Sequence, residues 1–102
     1  MDVLEQIKEL LSSSSLPVAY RAFESPQKLP FICYVEEGTR NMYADNTVYS
    51  SQHIIRVQLY TERKDVHLER MLENLLNDFC WEKSEVYIES ERMQMTEYEI
   101  EV

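Results

Sequence analysis

The chain has 102 residues, of which 19 are acidic and 10 are basic, so its formal net charge is −9. This length predicts one domain over residues 1–102, and the acidic balance argues against duplex-DNA binding, which needs a basic stripe. A single glycine excludes a glycine-rich nucleotide loop, and no apolar run approaches the roughly 20 residues of a membrane-spanning helix.

The first predicted element is a short amphipathic helix. Its apolar stripe recurs at spacings of three and four: Val3, Leu4, Ile7, Leu10 and Leu11. Serines 12–15 interrupt the pattern, and Pro17 confirms the break. Residues 18–23 then alternate as a strand, and residues 25–30 form a loop with two prolines. The chain opens without a charged and then apolar leader, so we expect it to be used without export.

Two further strands are predicted with a long connection between them. Residues 31–35 are an apolar run, and residues 47–60 alternate with period two, which indicates one buried face. Residues 38–46 have no periodicity, and we expect a loop of about nine residues there. That length exceeds the usual hairpin connection, which favours a functional role for the loop.

The clearest helix of the sequence follows Asp65, whose carboxylate suits an N-cap. Its apolar stripe comprises Leu68, Met71, Leu72, Leu75, Leu76 and Phe79. We expect Glu73 to face water and the helix to end near residues 80–81. Two strands, around residues 85–89 and 97–102, finish the chain.

This order of elements predicts an α+β fold. We expect a short N-terminal helix, a mostly antiparallel sheet with a long hairpin, one main helix packed on the sheet, and two C-terminal strands.

The negative charge is concentrated in the second half of the chain. Residues 61–102 hold 12 acids and 5 bases, a net charge of −7, against −2 for residues 1–60. An acidic excess most often serves solubility, and the alternative is a face that repels nucleic acid or meets a basic partner. Glu97, Glu99 and Glu101 share one face of the last strand, so they repel a neighbouring copy unless basic side chains intervene.

No catalytic, cofactor or metal-binding set stands out. Cys33 and His53 fall on the two strands of the predicted hairpin, but no third residue orients such a pair, and a core role for Cys33 is favoured. We expect both cysteines, Cys33 and Cys80, to be free buried thiols. The helical neighbours of His67 complete no metal set. We therefore predict no enzyme activity, no cofactor and no bound metal.

The predicted loop is the best candidate for a functional site, as a protein interface. Met42 and Tyr43 are large residues on an exposed connection, and their types are enriched at interfaces. The alternative is that Tyr43 folds back on the sheet while residues 45–46 simply make the turn, and the sequence favours neither. The predicted interface residues are Arg40, Asn41, Met42, Tyr43, Asp45 and Asn46.

Several segments resemble small tail-completion proteins of long-tailed bacteriophages and prophages, the tail terminators and head–tail joining proteins. They are residues 29–34 (LPFICY), 43–49 (YADNTVY), 57–65 (VQLYTERKD), 85–91 (EVYIESE) and 98–102 (YEIEV). The resemblance covers most of the chain from Pro17 onward and rests on apolar and turn residues rather than on a catalytic motif.

The resemblance implies an α+β virion protein without an active site. Copies of the chain would form a hexameric ring on the last ring of tail-tube protein, stop tube growth and meet a head-completion protein. It also implies a location at the head–tail junction, with assembly in the bacterial cytoplasm. DNA would pass the acidic ring without sequence-specific binding. The alternative is a small cytoplasmic adaptor or regulatory module that binds one partner.

Overall fold

The structure is a computed structural model that describes the backbone of residues 2–44 and 47–102, and the side chains of residues 2–39 and 52–102. The elements, in chain order, are α1 (Val3–Ser12), β1 (Val18–Tyr20), β2 (Phe31–Ala44), β3 (Thr47–Thr61), α2 (Val66–Leu75), β4 (Trp81–Ile88) and β5 (Met93–Glu101). The predicted order of a helix, three strands, a helix and two strands is confirmed. The fold is α+β, as predicted.

The five strands form one sheet in the order β1-β2-β3-β5-β4. Strand β1 runs parallel to β2, and the other neighbours are antiparallel. Strand β1 is shorter than predicted because Arg21 adopts a φ of 68°, which is outside the extended region. The Arg21 N–H still donates to the carbonyl of Tyr34 at 2.7 Å, so the chain turns while it remains bound to β2.

Both helices begin at an aspartate cap. The Asp2 carboxylate accepts from the N–H of Glu5 at 2.8 Å, and the Asp65 carboxylate accepts from the N–H of Leu68 at 3.1 Å, as predicted for Asp65. Helix α2 ends at Leu75, earlier than expected. Trp81 belongs to β4 instead, where its ring meets that of Tyr98 edge-on at a centroid distance of 5.4 Å.

The core lies between the two helices and one face of the sheet. From Ile55 to Leu59 every second residue of β3, namely Ile55, Val57 and Leu59, is fully buried on this face, which confirms the period-two prediction for this part of the strand. The side chain of Tyr49, predicted for the same face, lies outside the described residues. The cluster consists of Ile7, Leu11, Ile32, Tyr34, Ile55, Val57, Leu59, Leu72, Leu76, Tyr98 and Ile100.

A charge network fastens α2 to β4. The side chain of Glu69 is 3% exposed and lies 2.5 Å from the Nζ of Lys83 and 3.0 Å from that of Lys64. Burial raises the pKa of Glu69, but the hydrogen bonds from Lys83 and Lys64 outweigh it, so the net shift is downward. The carboxylate therefore stays ionised inside the fold.

Glu73 does not face water as predicted. Its carboxylate lies 2.9 Å from the Nζ of Lys83 and accepts from the hydroxyl of Tyr98 at 2.7 Å. Burial acts to raise the pKa of Glu73, while the bonds from Lys83 and Tyr98 bring it below its usual value. Glu73 turns inward because it bonds to Tyr98, which is fully buried.

The predicted loop over residues 38–46 is wrong. Residues 38–44 continue β2, and they pair with β3 as far as Ala44 opposite Thr47. Arg40, Asn41, Met42 and Tyr43 therefore lie on a strand that pairs with β3. Asp45 and Asn46 lie outside the described residues.

Candidate functional site

The end of the β2–β3 hairpin projects beyond the sheet, and we call its residues 38–44 and 47–53 the arm. Pairing between β3 and β5 stops at Ile54 opposite Glu101, and the last rung joins the backbones of His53 and Val102 by two bonds of 2.8 Å. Beyond that rung the described arm strands pair with each other alone. At about 3.3 Å per residue the arm projects roughly 20 Å. This projection explains the elongated shape, 50 × 27 × 27 Å.

Two irregularities in register shape the arm. Glu36 is opposite Ile55 whereas Gly38 is opposite Ile54, so Glu37 is an extra residue at the base. A second shift separates the pairing of residues 42 and 43. Such bulges increase the local twist of a ribbon and bend it. At the same base the imidazole Nδ1 of His53 lies 2.8 Å from a carboxylate oxygen of Glu36, which ties the two strands together.

The arm is nearly free of charge in its sequence. Residues 38–53 contain one base, Arg40, and one acid, Asp45, so their net charge is zero. The other residues hold 18 acids and 9 bases and therefore carry the whole charge of −9. Like charges repel when copies of an acidic chain approach one another. A second copy therefore repels the arm little.

The sheet face opposite the core carries neither of the two helices, and we call it the uncovered face. Strand alternation places Phe31, Tyr60, Met95 and Val86 there, as successive partners in one row across four strands. Val86 is 48% exposed, and the other three are half-buried. This row makes one half of the uncovered face apolar, and we call it the apolar half.

A groove runs between residues 21–27 and the apolar half of the uncovered face. Its volume is about 600 Å³, and its apolar lining includes Phe23, Phe31, Cys33, Tyr60, Ile88 and Met93. The rings of Phe31 and Tyr60 stack at a centroid distance of 5.0 Å, and Phe23 meets Phe31 edge-on at 5.3 Å. Burial raises the pKa of the Cys33 thiol, so this side chain acts as a small neutral hydrophobe in the groove.

The other half of the uncovered face is charged. Arg56 lies 2.6 Å from a carboxylate oxygen of Glu97 and 3.3 Å from one of Glu99, and it forms a two-pronged pair with Glu37. Hydrogen bonds to Glu37 and Glu97 raise the pKa of Arg56 further, and its bond to Glu37 lowers the pKa of that carboxyl. Alternation along β5 places Glu97, Glu99 and Glu101 on one face of the strand, as predicted. Arg56 of the same molecule lies between the charges of Glu97 and Glu99.

The candidate catalytic and metal-binding residues are not brought together. Cys33 lies opposite Gln58, five positions along β3 from His53, which is roughly 17 Å away and points to the other face. His67 is exposed in the first turn of α2. Within residues 2–44 and 47–102, no three side chains of His, Cys, Asp or Glu converge in a way that would bind a metal ion.

The cysteine prediction is correct for Cys33, which is buried and free, and wrong for Cys80, which is free but exposed. Cys80 lies in the short connection between α2 and β4, where the apolar positions on either side are taken by the partly buried Phe79 and Trp81. Among the described segments, no helix is both long and apolar enough to span a bilayer.

Sequence comparisons assign the chain to no group. No protein-family model matches it, and no curated protein gives a significant match. A functional assignment therefore has to start from the arm, the groove and the charges of the uncovered face.

Proposed function

We propose that this chain is a structural protein of a long-tailed bacteriophage or prophage, which assembles with its own copies into a ring that completes the tail and joins it to the head. The observation that carries the proposal is the arm. It extends roughly 20 Å from the sheet and is held at its base by the His53–Glu36 contact and the His53–Val102 rung. A projecting ribbon of this kind is suited to reach a neighbouring molecule.

The backbone of the arm supports an assembly role. Its outer strand edges pair with no other described strand of the same molecule, so their N–H and C=O groups are available to another chain. Proteins commonly blunt such edges with charges, whereas residues 38–53 contain only Arg40 and Asp45. An edge left open in this way favours a partner that pairs with it or covers it.

The distribution of charge supports a ring through which DNA passes. The second half of the chain carries a net charge of −7, and on the charged half of the uncovered face the carboxylates of Glu37, Glu97 and Glu99 surround one guanidinium. Acidic walls repel a nucleic acid backbone, so DNA slides past them without binding. The resemblance of segments 29–34, 43–49 and 57–65 to tail-completion proteins points to the same role.

Removal of the gene from the phage or prophage that carries it tests the proposal. Electron microscopy of the resulting particles should reveal overlong tail tubes, which indicate a terminator, or tubes of normal length without heads, which indicate a joining protein. Supplying the intact gene in trans should restore complete particles. Normal infectious particles in the absence of the gene would overturn the proposal and favour the adaptor.

A further inference from the structure

We propose that the groove beside residues 21–27 receives the arm of a neighbouring copy of this chain. The inference rests on the proposed function and deepens it, because it names the two surfaces that would join copies into a ring. The groove and the arm are separate surfaces of one molecule: the groove contains Phe31 and Tyr60 near the start of β2 and the end of β3, whereas the arm lies at the opposite end of these strands.

The separation of the two surfaces means that a molecule does not fill its own groove. Phe31 is opposite Tyr60, and the arm begins at Gly38, seven residues further along β2. A rigid ladder over that length, about 23 Å, carries the arm away from the groove. The arm therefore has to meet the groove of another copy.

The groove fits an uncharged, partly aromatic occupant. It is an open groove of about 600 Å³, which has room for more than one large side chain. Aromatic rings and a neutral thiol line it, and such surfaces favour apolar and aromatic groups. The sequence of the arm offers Met42, Tyr43, Val48 and Tyr49 within a stretch of zero net charge.

Charge permits the arm to approach a second copy. The chain outside residues 38–53 carries a charge of −9, so most approaches between copies oppose acidic surfaces. The groove itself is lined by one base, Arg21, and two acids, Glu24 and Glu91. An arm of zero net charge meets little repulsion at this rim.

The contact has a consequence for symmetry. An arm that enters the groove of the next copy is a head-to-tail contact between two different surfaces, and such contacts produce closed rings when the rotation closes. Each copy then gives one arm and receives one, which leaves no arm or groove unoccupied in a complete ring.

Cross-linking of variants with one exposed cysteine tests the contact. In a C80S background, in which Cys33 stays buried, Y43C places a thiol on the arm and S25C places one on the exposed groove rim. Mixing these two variants with a short bismaleimide should give cross-linked dimers. The matched control replaces S25C by E82C, which is also an exposed position and lies on the charged half of the uncovered face. M42C serves as a second arm position if Y43C prevents assembly.

We expect at least about tenfold more dimer from the rim variant than from the control, because docking raises the local concentration of the second thiol. Equal yields from the two mixtures, in protein that mass photometry shows to be assembled, would overturn the groove contact and leave the proposed function intact. A protein that stays monomeric at all concentrations up to about 1 mM would also overturn the groove contact, because the dissociation constant between copies would then exceed that concentration. The gene-removal phenotype decides the proposed function separately.

Discussion

Replacement of Lys83 by methionine should destabilise the fold, because it removes one of two cations from a buried carboxylate. Glu69 is 3% exposed at its side chain, and Lys83 is the nearer partner at 2.5 Å. Removal of one partner from a buried ion pair costs about 3–5 kcal/mol. Lys64 stays at 3.0 Å, so we expect about half of that, a loss of about 2 kcal/mol in the free energy of unfolding.

Urea unfolding followed by circular dichroism measures this loss, with an unchanged m-value as evidence that the unfolded state is unaffected. The matched control is Lys64→Met, which should cost less because the Lys64 side chain is 48% exposed, against 29% for Lys83. The double variant K83M/E69L removes the buried carboxylate together with its nearer cation and should recover part of the stability, while Glu73 still lacks its contact with Lys83. Equal losses for the two lysine variants, or a double variant less stable than K83M, would refute the reasoning.

Four smaller predictions concern the same fold. The lowered pKa values of Glu69 and Glu73 stabilise the fold fully above the ordinary value of 4.5 and less as the pH falls below it, so urea titrations from about pH 5 downward should show falling stability. Tyr98→Phe should lose about 1–2 kcal/mol at neutral pH in the same assay, because it deletes the 2.7 Å bond to Glu73 while it retains the ring. Asp65→Ala should cost about 1 kcal/mol of unfolding free energy through the lost N-cap, and an unchanged urea midpoint would contradict the cap. Leu59→Ala should cost about 2–5 kcal/mol by thermal and urea unfolding, since Leu59 is fully buried.

The sequence predicted the order of elements because each one buries one face. Apolar spacing of three and four located both helices, and alternation located the inward residues of β3, such as Ile55 and Leu59, which are fully buried. Asp65 marked the start of α2 by its capping chemistry alone. These signals are local, so neighbouring residues in the chain suffice to recognise them.

The arm was not predicted because the signal that located the other strands, the burial of one face, is missing there. Alternation appears in a strand only where one face lies on a core, and residues 38–44 pair with β3 beyond the end of the helix-covered sheet. The missing period-two pattern therefore indicates that no core lies beside these residues. We interpreted it as evidence against a strand. A run of β-branched and aromatic residues at 47–49, with a two-residue gap at 45–46, was the available signal for a hairpin.

The ionic network and the groove depend on partners that are distant in the sequence. Glu69 is buried because Lys83 reaches it from β4, and nothing in the helix pattern around Glu69 indicates that contact. The groove forms because Arg21 turns the chain and carries residues 21–27 alongside Phe31 and Tyr60. Both features appear once the strand order is known.

The central claim is that this chain acts through contacts made by its arm, and electron microscopy of tails assembled with the M42S/Y43S variant tests it most directly. The arm strands pair with each other beyond the end of the β3–β5 ladder, so we expect the variant to unfold at the same urea concentration as the unaltered chain. A control variant, E89Q, changes an exposed residue of the β4–β5 turn instead. The account predicts overlong or headless tubes with M42S/Y43S and complete particles with E89Q. Complete, infectious particles from the folded arm variant would contradict it.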